Sequence, residues 1–410
     1  MKIEIINTGT ELLLGSTQNT HGSWIGQELV ALGLRVQRQV TVPDGVAIEE
    51  ALAESIQRAD AIIVTGGLGP TSDDLTREAA AKVLGVEMIE DEAALRSLVE
   101  FFEIRKKKMV DANLKQAQNL VGADILPNPN GTAPGIYAPP RLAGELNCAV
   151  FLLPGPPREL YPMFQAEVIP RLRALSGVEL IDQVEELKFV GVGESDFQDR
   201  LDAELAEIEG LEVGYCARMG EMDLRLIGSE KAIASGRKLA EDTFAEFLVS
   251  DDGASLEEAV VRAMKEAGLK LALAESCTGG LVSSRVTDVS GASAVLTHGF
   301  VTYANEAKSG LLGVKEKTLE EHGAVSEEVA TEMALGALKV SGADIAVSIT
   351  GIAGPTGGSE EKPVGTVCFG VATQSGVVSY RERHPRNRKD FKLQASQRAL
   401  DLVRRAVKSL

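Results

Sequence analysis

The sequence predicts an α/β protein of more than one domain, built on mainly parallel, doubly wound sheets. Short apolar runs such as DAIIVTGG (60–67), CAVFLLPG (148–155) and LKLALAES (269–276) alternate with longer segments of helical apolar spacing. That alternation marks βαβ units. The strands exit into glycine-rich turns, and open α/β sheets bind ligands beyond the carboxyl ends of their strands. The 410 residues exceed one ordinary domain, and 44% hydrophobic residues, 4% aromatics and 41 glycines suit aliphatic cores with many loops.

Taken in order, IEIINTG (3–9), LRVQRQVTV (34–42), DAIIVTGG and CAVFLLPG are strands of a first unit, residues 1–170. Helices are expected over 19–33, 47–59, 73–85 and 92–121; the third opens on acids and closes on Gly85, as helix termini favour. Residues 171–250 read as a small α+β module. Its strands are VEELKFVGV, LEVGYCAR and MDLRLIG, and its helices are ESDFQDRLDAELAEI and EKAIASGRKLAEDTFAEFL. SDDGAS (250–255) reads as a linker. Residues 255–410 form a third unit with strands LKLALAES, ADIAVSITG, GTVCFGVAT and VVSYRERH, closed by a helix from about Lys389.

A net charge of −18 argues against a nucleic-acid coat and against anionic membrane surfaces. The one dense basic run, RKKK (105–108), reads as a solvated helix face. Cys148, Cys216, Cys277 and Cys368 lack CxxC spacing, so reduced thiols are expected rather than disulfides or zinc. No run of 18 apolar residues occurs, and the start MKIEIINTG lacks a cleavable signal pattern, which together predict a cytoplasmic protein.

The segment AESCTGG (274–280) sets Ser276 and Cys277 directly after a strand and before a Gly-Gly turn. Nucleophiles sit at such strand-to-helix turns; the alternative is a serine that only caps a helix. Histidine is scarce, and His298 and His322 sit beside ordinary helix or turn material. A desolvated lysine can serve as base instead, and Lys308 follows in GFVTYANEAKSGLLG (299–313) with Tyr303. Backbone N–H groups of residues 277–280 could hold an oxyanion, and Arg386 or Arg388 a phosphate. These parts suit amide hydrolysis in a phosphorylated substrate. Cys277 competes as attacker, since a thiolate at a helix start is the stronger nucleophile.

AESCTGG, GFVTYANEAK, HGAVSEEVA, SITGIAGPTGGSEEKPVGTV and NRKDFK together resemble the CinA C-terminal domain, the family of PncC-type nicotinamide mononucleotide deamidases, over nearly all of 255–410. The resemblance implies hydrolysis of nicotinamide mononucleotide to nicotinate mononucleotide and ammonia, with no cofactor. It implies Ser276 as nucleophile, Lys308 as base and Tyr303 in positioning or proton relay. Cys277, Thr278, Gly279, Thr350 and Gly351 would line the pocket, and Arg388 would bind the phosphate. Arg386 stands where the family often has glycine, which leaves it as the other phosphate clamp.

In the first unit, GGLGPTSDDLTRE (66–78) combines glycines that let backbone approach a phosphate with Asp73 and Asp74, hard ligands for a divalent ion. It contains neither GK[ST] nor GxGxxG. With NTGTELLLGSTQNT, NLKQA, NPNGTAPG and LLPGPPREL it resembles the MoCF-like N-terminal domain of the same family. The resemblance implies a three-layer molybdopterin-binding-like fold. The implied activity is ADP-ribose pyrophosphatase, dependent on Mg, Mn or Co and helped by potassium. Asp73 and Asp74 would lie near the metal. Thr10, Glu11, Asn19, Gly67, Thr71, Lys115 and the loop of Gly131, Thr132 and Gly135 would face the ligand. The middle unit matches the family's KH-type position without a GxxG loop, so it is expected to connect domains or to form a homodimer contact, with direct nucleic-acid binding disfavoured. The whole chain thus reads as a bifunctional hydrolase of pyridine-nucleotide salvage. The alternative is a nucleotide- or pterin-binding protein with an interaction role in competence or DNA repair.

Overall fold

The computed structural model describes residues 1–30, 32–177 and 183–410. Position 31 of the expected helix 19–33, and 178–182 at the start of the middle module, lie outside the described residues. The chain forms two compact units, Met1–Gln183 and Val184–Leu410.

The first unit holds strands β1 (Ile3–Thr8), β2 (Val36–Val42), β3 (Ala61–Thr65), β4 (Met88–Glu90), β5 (Gln118–Leu120), β6 (Asp124–Leu126), β7 (Gly135–Ala138) and β8 (Ala149–Leu153). The main sheet runs β2-β1-β3-β8-β7-β6. β2, β1, β3 and β8 pair in parallel; β7 and β6 add an antiparallel edge. β1, β3 and β8 are buried along their whole length, as expected where helices cover both faces. Two apolar layers flank the sheet. One gathers Ile3, Ile5, Ile25, Phe151 and Phe164, and the other Ile6, Ile48, Ile62, Val64 and Val150. From β1 the chain passes to β2 on one side, then returns to β3 on the other. The carboxyl ends of β1 and β3 therefore flank a topological switch point.

The expected helix 92–121 is shorter. Residues Glu92–Ile104 are helical, Asp111–Ala117 form a 3-10 segment, and the chain then enters β5. Lys106, at φ 50°, ends the helix. RKKK is accordingly an exposed turn after a helix rather than a helix face. The Arg105 guanidinium covers the Phe101 ring at 3.6 Å.

In the second unit the middle module has β9 (Gln183–Val190), β10 (Glu212–Arg218), β11 (Glu221–Gly228) and β12 (Leu248–Ser250), in the order β10-β11-β9-β12. Phe189, Phe197 and Phe244 form its aromatic centre. The module joins the last segment within one unit. Arg404 donates to the carbonyls of Leu248 and Glu246, and Val190 enters the neighbouring core. The second sheet has β13 (Leu271–Glu275), β14 (Leu296–Val301), β15 (Ile345–Gly351), β16 (Thr366–Thr373) and β17 (Gly376–Arg383), in the order β14-β13-β15-β16-β17. β14, β13 and β15 are parallel; β16 and β17 are antiparallel. β13 again feeds neighbours on both sides, so its carboxyl end is a second switch point. Ser276 is the next residue.

Candidate functional sites

Leu271–Glu275 is buried at every position, and the chain leaves it through a tight turn, Ser276–Gly280. The Ser276 N–H donates to Ile349 O of β15 at 2.9 Å, and Gly279 N donates to Ser276 O at 3.1 Å. Gly279 and Gly280, at φ 64° and 93°, adopt a conformation that favours glycine. On the other side, Lys308 extends from the helix Asn305–Leu312 and is 1% exposed. Its Nζ lies 3.2 Å from Ser276 Oγ, 2.9 Å from Thr302 O and 3.3 Å from Tyr303 O. Burial holds the ammonium below the ordinary lysine value, against weaker opposing effects of Cys277 and Glu306. A neutral amine has two N–H bonds and one lone pair. In that form the two carbonyls would take the N–H bonds, which leaves the lone pair to the Ser276 hydroxyl.

Cys277 turns inward and is 5% exposed. Burial pushes its thiol up to about 12, against smaller opposing effects of its own N–H, the Thr278 N–H and Lys308. That is the reverse of an activated cysteine. Thr278 is fully buried, and its hydroxyl has no partner among the described residues. The Thr350 hydroxyl donates away to Ala324 O at 2.7 Å. Gly351 packs on the Ser276–Gly280 turn so closely that a Cβ would come within 3.1 Å of Cys277 Sγ and 2.9 Å of Thr366 O.

Arg388 opens the helix Arg388–Lys408. It donates to Tyr303 Oη at 2.9 Å and Gly354 O at 3.2 Å. The exposed Tyr303 thereby links Arg388 to Lys308, which bonds its carbonyl. Among the described residues Arg388 bonds neutral oxygens, so its charge remains available to an anion. Lys392, one turn further along the helix, has its Nζ 3.7 Å from where a Gly279 Cβ would sit. Sequence reading passed over Lys392, although its i+4 spacing from Arg388 is the signal that places both on one helix face. His298 lies on β14, stacked on Phe300, and His322 ends a short helix; neither appears among the groups bonded to Ser276 or Lys308.

In the first unit a cleft of about 540 Å³ opens at the β1/β3 switch point. Glu11, Asn19, Gly67, Asp73, Asp74 and Thr132 line it. Gly66 is required there: at φ 99°, a Cβ would meet Thr8 O at 2.7 Å. Thr71 donates its N–H to Asp74 Oδ2 at 2.9 Å, and its hydroxyl reaches the same oxygen. Hydrogen bonding, first from Thr71, holds Asp73 below the usual carboxylate range. Lys115 is tied to the loop itself, through Asp74 O, Thr71 O at 3.4 Å and Glu78 at 2.9 Å. Thr10 bonds Asp44 at 3.0 Å, Gly131 backs onto Glu159, and Gly135 packs against Met163. Thr10, Thr71, Lys115, Gly131 and Gly135 are not among the residues that line the cleft; Thr10 and Thr71 are exposed, and Gly131 lines a smaller neighbouring cavity with Thr132.

Sequence reading did not single out Asp44, Glu159 or His21, which also line the cleft. Glu159 is buried and accepts from Asn128 Nδ2 at 2.8 Å. His21 Nδ1 lies 3.3 Å from Thr65 Oγ1; burial lowers its pKa, opposed by the Gly155 carbonyl. No lysine or arginine is part of the lining. No group of three or more His, Cys, Asp or Glu side chains converges as a metal cage among the described residues. Paired carboxylates with remaining positions left to phosphate oxygens and water still fit a magnesium-like ion.

An α/β chain with two strand-end sites, one carrying a buried Ser-Lys pair and one lined by acids, is what these observations define. Family models match the CinA C-terminal domain over 253–407, a probable molybdopterin binding domain over 4–174, and the damage-inducible protein CinA KH domain over 185–247. A CinA-like protein of Akkermansia muciniphila is 50% identical over 98% of this chain and 96% of its own length. A putative competence-damage inducible protein of Caldicellulosiruptor bescii is 42% identical over 99% of both. The solved competence/damage inducible protein CihA from Agrobacterium tumefaciens is 42% identical, covering 38% of this chain and 97% of its own, with a TM-score of 0.36. The chain belongs to the CinA family. No helix among the described residues is long and apolar enough to cross a membrane.

Proposed function

We propose that the chain is a bifunctional hydrolase of pyridine-nucleotide salvage. The second unit would deamidate nicotinamide mononucleotide. The observation that carries this reading is the buried amine of Lys308, 3.2 Å from Ser276 Oγ with two carbonyls on its remaining N–H bonds. Ser276 Oγ attacks the amide carbon while Lys308 takes the hydroxyl proton. The tetrahedral oxyanion rests on N–H groups of the turn. Lys308 then returns its proton to the leaving nitrogen, ammonia departs, and a serine ester remains. Water, deprotonated by Lys308, cleaves the ester to the carboxylate and restores Ser276. Arg388, with Lys392 beside it, would hold the 5′-phosphate.

The first unit would hydrolyse ADP-ribose to AMP and ribose 5-phosphate. Its cleft places Glu11, Asp44, Asp73, Asp74 and Glu159 around one cavity without a lysine or arginine in the lining. A bound cation would screen such a field for a diphosphate, adding to Lys115 and Arg77 that bond the same loop. Asp73 and Asp74 would hold a divalent ion (Mg, Mn or Co), which when bound polarises the pyrophosphate and the attacking water. The test is paired. Ammonia release from nicotinamide mononucleotide should vanish in Ser276→Ala, and AMP release from ADP-ribose should fall in Asp74→Asn. An active Ser276→Ala protein would overturn the first reading. An Asp74→Asn protein with undiminished AMP release would overturn the second.

A further inference from the structure

The turn after β13 contains a buried carboxylate that the proposed chemistry leaves unused. Glu275, the last residue of β13, is fully buried beside the nucleophile. An isolated carboxylate is costly in such a place unless its oxygens are satisfied. Its Oε2 accepts from Gly280 N at 2.9 Å and Val282 N at 3.1 Å; its Oε1 accepts from Ser283 N at 2.8 Å and Ser283 Oγ at 2.7 Å. One side chain therefore ties the end of β13 to the far end of the turn it begins.

The remaining amides of the turn can be assigned in full. Ser276 N donates to Ile349 O, Gly279 N to Ser276 O, and Leu281 N to Thr278 O. Cys277 N and Thr278 N have no oxygen acceptor among the described residues. They lie beside the Cys277 sulfur, which is a weak acceptor as a neutral thiol. An N–H of the residue following a nucleophilic serine is the usual oxyanion donor at such a turn.

We propose that Glu275 is the positioning residue of the nucleophile turn, and that the amides left without an oxygen acceptor, Cys277 N–H and Thr278 N–H, are the oxyanion donors. By taking the later amides, Glu275 keeps a substrate anion from settling on them and fixes the free pair beside Ser276. A glutamine cannot substitute. It would set a donor NH₂ against backbone N–H groups and leave part of the cap unpaired.

The proposal rests on the deamidase reading, so the test uses two measurements on the full chain. One is steady-state ammonia release from nicotinamide mononucleotide. The other is the rate at which a fluorophosphonate labels Ser276, which needs no natural substrate and builds a similar oxyanion. Glu275→Gln should lower kcat by about 30-fold or more, approaching the roughly 10²–10³-fold cost of losing an oxyanion donor outright. KM should stay within about twofold, because the phosphate is held elsewhere, and labelling should slow in parallel. A folded Glu275→Gln protein with kcat within about threefold of wild type, or with a change in KM alone, overturns the proposal. If Glu275→Gln does not fold, Ser283→Ala removes only the hydroxyl donor; it should lower kcat about threefold at constant KM, and an unchanged kcat overturns the proposal. A wild-type chain that is labelled but releases no ammonia defeats the deamidase reading, and labelling alone then decides the role of Glu275. A wild-type chain that does neither defeats both.

Discussion

At the scale of single residues, two candidate nucleophiles stand side by side in opposite environments. Ser276 has the Lys308 amine at 3.2 Å, whereas Cys277 is turned into the core with its thiol pushed up to about 12. Ser276→Ala and Lys308→Ala should each lower ammonia release by about 10³-fold or more, because the two act as one unit. Cys277→Ala should keep activity within about tenfold. The proposed base works only when neutral, so kcat/KM should fall as pH drops through the Lys308 pKa. Burial places that inflection below the ordinary lysine value. A pH–rate profile checks this, and Lys308→Arg should be inactive throughout, since a guanidinium stays protonated. The motif residues were legible because strand, turn and lysine each leave a local pattern. The role of Glu275 was not, because its partners five to eight residues on meet it only after the chain has turned.

At the scale of elements, the glycine-rich strand exits tolerate little change. Gly67 has φ 66°, and an added Cβ would lie 2.1 Å from Thr76 Oγ1. Gly67→Ala should therefore lower ADP-ribose hydrolysis more than tenfold and destabilise the protein by about 1–3 kcal/mol, read by kinetics and chemical denaturation. The helix Arg388–Lys408 carries a different vulnerability. Asp401, 1% exposed, accepts from Arg398, Arg404 and Arg405, and Arg404 in turn holds the carbonyls of Leu248 and Glu246. Asp401→Asn leaves buried guanidinium charge uncompensated. It should cost about 3–5 kcal/mol, measured by thermal unfolding, and weaken the hold of the middle module. The long apolar strands were readable from sequence. β7 and β14 were not: GIYA is too short to show a period, and LTHGFV puts glycine and histidine on an edge strand with an exposed face. The basic run 105–108 mimicked helix periodicity, but Lys106 at positive φ ends the helix.

At the scale of the molecule, each unit follows one rule on its own: a mixed sheet whose parallel strands create a switch point, and a candidate site at the carboxyl end of those strands. The sites are built from opposite charge. The first is lined by acids, for which a divalent ion is proposed; the second is a buried amine with arginine and lysine nearby. Their requirements should separate cleanly. A chelator should abolish AMP release from ADP-ribose and leave ammonia release from nicotinamide mononucleotide unchanged. Added Mg, Mn or Co should restore the former. Sequence reading divides the chain into three units, 1–170, 171–250 and 255–410, where the described structure forms two. The incorporation of the middle module into the second unit was not legible, since it depends on Arg404 and Val190 reaching partners distant in sequence.

The central claim is a serine nucleophile served by a buried lysine. Its most direct test is ammonia release from nicotinamide mononucleotide by the full chain in chelator, beside Ser276→Ala, Cys277→Ala and Lys308→Ala. The expected result is metal-independent ammonia release that is lost in Ser276→Ala and Lys308→Ala and largely kept in Cys277→Ala. Full activity in Ser276→Ala, or loss in Cys277→Ala alone, would contradict it.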